Sequence, residues 1–119
     1  RPSANQLMSS DKGEPSQAVR ERVLTARAKA SARGFSSNSL IPAGQLDELA
    51  PTSDAGRSML KGALADGRLS ARGLARVRMV ARTIADLADE DIVSETSIAS
   101  ALALRARPVL FDLLGATHV

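Results

Sequence analysis

The sequence predicts an all-α protein, a small bundle of four main helices. Three observations carry this. The apolar fraction is 44% and is mostly Ala and Leu, with two Phe and neither Trp nor Tyr. Ala, Leu and Arg are strong helix formers, and only a few short stretches read as β-type. Apolar residues also recur at helical spacing between Ser caps and Gly or Pro stops. A chain of 119 residues has room for one domain with a modest core. Its small side chains favour closely packed helices and limit the apolar area each helix buries, so stability in isolation should be modest.

The chain divides into a linker or remnant of a preceding core (1–14), a helical domain (15–107) and a C-terminal tail (108–119). The opening residues, 1–6, read as a cut made inside a longer chain. Pro15 leads into a first helix that runs to about Arg33 and ends at Gly34. Val19, Val23, Ala26 and Ala30 recur along it at i, i+4, i+7 and i+11, and Leu24 broadens the stripe. Arg20, Arg22, Arg27, Lys29 and Arg33 cover much of the rest.

Residues 35–51 are irregular, with Pro42, Gly44 and Pro51 as breakers. Phe35, Leu40 and Ile41 should anchor this loop to the core, and 46–50 can form one short helical turn. Thr52 or Ser53 can cap the next helix, with Asp54 in its first turn. That helix carries Ala55, Met59, Leu60, Ala63 and Leu64 and ends at Gly67. Gly56 and Gly62 inside it cost about 1 kcal/mol each relative to Ala, so they mark places where a second helix can come close.

Ser70 is the expected N-cap of the longest helix, 71–88. Leu74, Val77, Val80, Ala81, Ile84, Leu87 and Ala88 span an arc of roughly 140° at about 100° per residue. Arg72, Arg76, Arg78, Arg82 and Asp86 lie outside that arc. Asp89, Glu90 and Asp91 make an acidic connection, and Ile92 or Val93 is the hydrophobic lead-in to the last helix. Ser94 can cap that helix, 95–106, in which Ile98, Ala101, Leu102 and Arg105 give the periodicity and Pro108 the stop. The tail, with Val109, Leu110, Phe111, Leu113 and Leu114, should dock back on the bundle.

The sequence excludes more chemistry than it offers. There is no cysteine, which rules out a disulfide scaffold, a thiol nucleophile and a thiolate metal site and fits a cytoplasmic setting. The only imidazole, His118, is one residue from the end. The carboxylates are scattered, and no set of residues has metal-ligand spacing. Segment 62–67 lacks the lysine and hydroxyl of a phosphate-binding loop. No apolar run approaches the roughly 20 residues that span a bilayer, so no membrane partner is expected.

The arginines remain. Net charge is +3, from 16 Lys+Arg against 13 Asp+Glu, and the only lysines are Lys12, Lys29 and Lys61. Three readings compete. Arg stems can cover apolar surface with their heads in water. A contiguous patch joining Arg20, Arg27, Arg78 and Arg82 could bind DNA phosphates, although the longest helix has no Asn or Gln to read bases. Lastly, an Arg near a helix start can reach a phosphate held by another domain and compensate charge as the γ-phosphate leaves. Arg72, in a first turn where the helix dipole is also positive, is the candidate.

Two segments carry a family resemblance. One is the early helix, with Val19, Arg20, Glu21, Arg22, Val23, Ala26 and Arg27, followed by Asn38 and Leu40. The other is Leu69-Ser70-Ala71-Arg72-Gly73-Leu74-Ala75-Arg76-Val77, continuing through Val80 to Ala88 and then Ile92, Ile98, Ala101, Leu102 and Arg105. Together they resemble the C-terminal domain of the magnesium-chelatase-like AAA+ proteins, in their competence-type bacterial branch, over roughly residues 14–107. The resemblance implies the small helical lid that follows an ATPase core and closes over its ATP and Mg²⁺, this chain holding neither alone. It implies a ring, usually of six subunits, and a sensor-2 arginine near a helix start. Arg72 matches that position best, and Arg76, one turn on, is second. The competence-type branch implies a role in DNA processing, while the true chelatases insert Mg²⁺ into protoporphyrin. Walker A, Walker B, sensor-1 and arginine-finger elements are missing from this chain, and the tail is outside the pattern.

Overall fold

Three of the helices start at serine caps, and two are followed by a glycine in a left-handed turn. In a computed structural model, residues 16–105, 107 and 111 are described. Helix α1 spans Ser16–Ala32, α2 Leu46–Leu49, α3 Asp54–Ala65, α4 Ala71–Leu87 and α5 Glu95–Leu104, with short 3₁₀ turns at Asn38–Leu40 and Ala43–Gln45. Ser53, Ser70 and Ser94 accept hydrogen bonds from the N–H groups of Gly56, Gly73 and Ser97 at 3.1, 3.0 and 3.2 Å. Each satisfies a donor that the first helical turn leaves unpaired. Gly34 (φ 99°) and Gly67 (φ 84°) follow α1 and α3 in the left-handed region, where a side chain would be strained.

The result is an all-α bundle. Among the described residues the β-type pairing is one isolated parallel bridge between Thr52 and Val93. The Ser53 N–H donates to the Val93 carbonyl at 2.9 Å and the Val93 N–H to the Pro51 carbonyl at 2.8 Å. This sets the starts of α3 and α5 side by side. Gly56 permits the close approach that follows. A Cβ there would stand 2.8 Å from Thr52 Cγ2 and 3.2 Å from Ile98 Cγ1, whereas a Cβ at Gly62 would meet nothing within 4 Å. The expected close approach therefore holds at Gly56 and not at Gly62.

Helix α4 is the central element. It packs against α1, α2, α3, α5 and the Asn38–Leu40 turn. Its Val77, Val80, Ala81 and Ala85 are fully buried, joined in the core by Ile41, Leu46, Ala63, Val93, Ile98 and Ala101.

Being covered on several sides overturns one expectation. Arg82 and Asp86 lie outside the apolar arc, yet both are about 1% exposed. The arc marks only the apolar face; α1 and the Asn38–Leu40 turn cover part of the polar one, and the two charges neutralise each other there. Smaller corrections follow the same logic. Burial in α1 is confined to Ala26 and Ala30, and Leu24 does not widen a buried stripe, being 56% exposed. In the loop, Phe35 and Ile41 pack on the core but Leu40 is exposed. Val93, not Ile92, is the buried lead-in to α5. Helix α5 ends at Leu104, two residues short of the expected end, and Pro108 lies outside the described residues. The segment 1–14 and most of the tail also lie outside them; Phe111 of the tail is buried in the core.

Candidate functional site

The two ends of α4 differ in how their charges are spent. At the C-terminal end Arg82 is desolvated and held on every side. Its Nε donates to Asp86 Oδ1 at 3.1 Å, its Nη1 to the Asp91 carbonyl at 2.8 Å and its Nη2 to the Glu90 carbonyl. Burial pulls Arg82 below the ordinary guanidinium value, with the Asp86 carboxylate pulling it back. Arg33, from the end of α1, donates Nη1 to the other Asp86 oxygen at 2.7 Å, and Asn38 Nδ2 donates to the same oxygen at 2.9 Å. One carboxylate thus joins α1, the 3₁₀ turn and α4. Lys29 meets Asp89 at 2.9 Å, and that hydrogen bond raises its pKa. Together these contacts tie the acidic connection after α4 to α1.

The N-terminal end of α4 is open and cationic. Arg72 sits in the first turn, is exposed, and makes no hydrogen bond or ion pair with the described residues. Ser70 satisfies the Gly73 N–H, but the positive end of the helix dipole still faces outward here. Arg105, at the end of α5, reaches across so that its Nη2 is 3.6 Å from where a Gly73 Cβ would stand, and its Nη1 donates to the Arg68 carbonyl at 2.9 Å. Arg68 in turn pairs with Asp66 at 2.9 Å and holds that carboxyl below the usual carboxylate range. Arg76, the second candidate from the sequence, is half-buried, with its guanidinium carbon 5.4 Å from the centroid of the Phe111 ring. That is cation–π range, so Arg76 is partly committed to packing where Arg72 is not.

Sequence reasoning did not single out Arg105. The signal was present: it falls seven residues after Ile98, at the C-terminal cap of α5. The basic patch that the DNA-binding alternative needs is interrupted. Arg82 is buried, and Arg78 pairs with Asp47 at 2.9 Å, so Arg20 and Arg27 on α1 do not continue into a basic face of α4.

This chain can supply guanidinium groups to a phosphate, but among the described residues no group of three or more His, Asp or Glu is placed to hold a metal ion. A helical bundle with an uncommitted arginine at the start of its central helix suits a domain that acts on a ligand bound elsewhere. The chain belongs to the family "Magnesium chelatase, subunit ChlI C-terminal", which matches residues 13–105. This makes it a C-terminal, lid-like domain of the magnesium-chelatase-like AAA+ group. Among individual proteins it is similar to the competence protein ComM of Haemophilus influenzae, with 34% identity over 104 residues. That alignment covers 87% of this chain and 20% of the relative, so the chain spans about a fifth of that protein's length. No solved structure matches it.

Proposed function

We propose that this domain is the lid of an AAA+ ATPase, closing over ATP and Mg²⁺ held by a core domain and coupling hydrolysis to the motion of a homo-hexameric ring. Arg72 is the sensor in this reading, with Arg76 and Arg105 behind it. The observation that supports it is the contrast along α4. Arg76, Arg78 and Arg82 are all engaged within the domain, while Arg72 is exposed at the positive end of the helix. A guanidinium there can approach a γ-phosphate without first breaking a bond to any of the described residues. ATP·Mg²⁺ supplies the phosphoryl chemistry. The residues of this chain bind its charge, exclude water on closure and report its state to the bundle.

The rigid end of α4 serves the same function. Arg33, Asp86 and Arg82 hold α1 and α4 as one body, so a force on Arg72 moves the whole lid. The likeness to a competence protein favours DNA processing over metal insertion. A cytoplasmic setting follows from that role, and no helix among the described residues is long and apolar enough to cross a membrane. A small helical DNA-binding or protein-interaction module with no nucleotide role is the second reading, and the interrupted basic patch weighs against its DNA-binding form.

The domain-level test is hydrolysis in cis. The 119-residue chain alone should release no phosphate from ATP. Joined behind an ATPase core of the same family, it should restore turnover that the core lacks without it. A core whose turnover is indifferent to the domain would contradict the lid reading.

A further inference from the structure

A second basic feature lies away from the start of α4 and plays no part in the proposed sensor. Between α3, the first half of α4 and residues 47–52 is a cleft of about 250 Å³. Its apolar lining includes Leu64, which is 42% exposed, and Leu74. Its edge is cationic. Arg57 and Lys61 stand one helical turn apart on α3, both exposed and without a hydrogen bond or ion pair to the described residues. Arg78 completes the set from α4. Its Nη1 is paired with Asp47, but its Nε–H is buried with no acceptor among the described residues.

We infer that this cleft docks an acidic, aliphatic protein segment. One Leu or Ile side chain of the partner fills the apolar lining as a single anchor. Neighbouring Asp or Glu side chains meet Arg57 and Lys61, which are exposed at the edge. The spacing of two cations along α3 matches carboxylates a turn apart on a partner helix. Nucleic acid suits the cleft less well. Among the described residues no aromatic ring lines it for base stacking. The inference does not depend on the ATPase reading, because none of these residues is assigned to nucleotide.

The test is a selection of random displayed peptides on the full chain, followed by titration of the enriched peptide into isotopically labelled protein observed by NMR. Enrichment of peptides combining Asp or Glu with Leu or Ile is expected, with shifts centred on Arg57, Lys61, Leu64, Leu74 and Arg78. Arg57→Glu combined with Lys61→Glu changes exposed side chains, and retention of the fold is read by far-UV circular dichroism. That variant should weaken binding about tenfold or more, while Arg20→Glu on α1 leaves it unchanged. The inference fails if no peptide is enriched, if the enriched peptides lack acidic residues, if shifts fall elsewhere, or if the double variant binds equally well. Stronger shifts at the same residues with a single-stranded oligonucleotide would overturn it in favour of nucleic acid.

Discussion

Replacing Asp86 by Ala removes a carboxylate that is fully buried and accepts hydrogen bonds from three side chains, Arg33, Arg82 and Asn38. The consequences for the two arginines differ. The Arg33 side chain is 14% exposed at the end of α1 and can turn towards water. The Arg82 side chain is 2% exposed and cannot, because it is wedged under the chain at Glu90 and Asp91. Breaking a buried pair by removing one partner typically costs about 3–5 kcal/mol. The two carbonyls that still accept from Arg82 place this case near the lower figure. A loss of about 3 kcal/mol is more than a hundredfold in the folding equilibrium. It is also a large share of the total for a small core rich in alanine, where about 5 kcal/mol is the expected scale. In urea denaturation followed by far-UV circular dichroism, the midpoint should fall by roughly 2 M at a slope near 1.5 kcal/mol per M. The pair Arg82→Met with Asp86→Leu should recover part of the loss, since it removes the orphaned charge as well. A midpoint within about 0.5 M of the unsubstituted protein for Asp86→Ala would refute the reasoning, because the network would then be solvated and not structural.

Other outcomes follow from helix geometry. Gly62→Ala should raise stability by about 0.5–1 kcal/mol, since it removes a helix-interior glycine at a position where the added methyl meets nothing. Gly56→Ala should lower it by about 1 kcal/mol or more despite the same propensity gain, because overpacking outweighs propensity where the methyl lands 2.8 Å from Thr52 Cγ2. The two thermal melts should move in opposite directions, and a shared direction would contradict the packing described for α3 and α5. Ser70→Ala should cost about 1 kcal/mol through loss of the α4 cap, read from the same melts, with Ser70→Asp retaining most of it.

The bundle was legible because its punctuation is local. Ser53, Ser70 and Ser94 each cap a helix within three residues, and Gly34 and Gly67 act at the next turn. The Asp86 network was not legible. An arc analysis of α4 separates apolar from polar positions but cannot say whether the polar face meets water or another helix. Arg33 arrives from 53 residues away, carried by a helix whose buried positions are two alanines. Only an alanine surface lets α1 come close enough, and alanine gives a weak periodic signal. The site was partly legible. Arg72 could be picked as a candidate from its place in a first turn, and the family resemblance gave it a role. The position of Arg105 was implicit in the spacing of α5. The cover that Phe111 gives Arg76 depends on a contact across the bundle that no local pattern encodes.

In the proposed lid Arg72 touches the nucleotide, whereas Arg78 and Arg82 serve the bundle. The most direct measurement is steady-state ATP hydrolysis by this domain joined to its core, comparing Arg72→Ala with the unsubstituted protein at saturating ATP. Removal of one preorganised charge from a transition state is expected to lower kcat by roughly a hundredfold or more, with the urea midpoint unchanged because Arg72 has no hydrogen-bond or ion-pair partner among the described residues. Unchanged turnover in Arg72→Ala, or a loss of turnover that only tracks a loss of stability, would contradict the account.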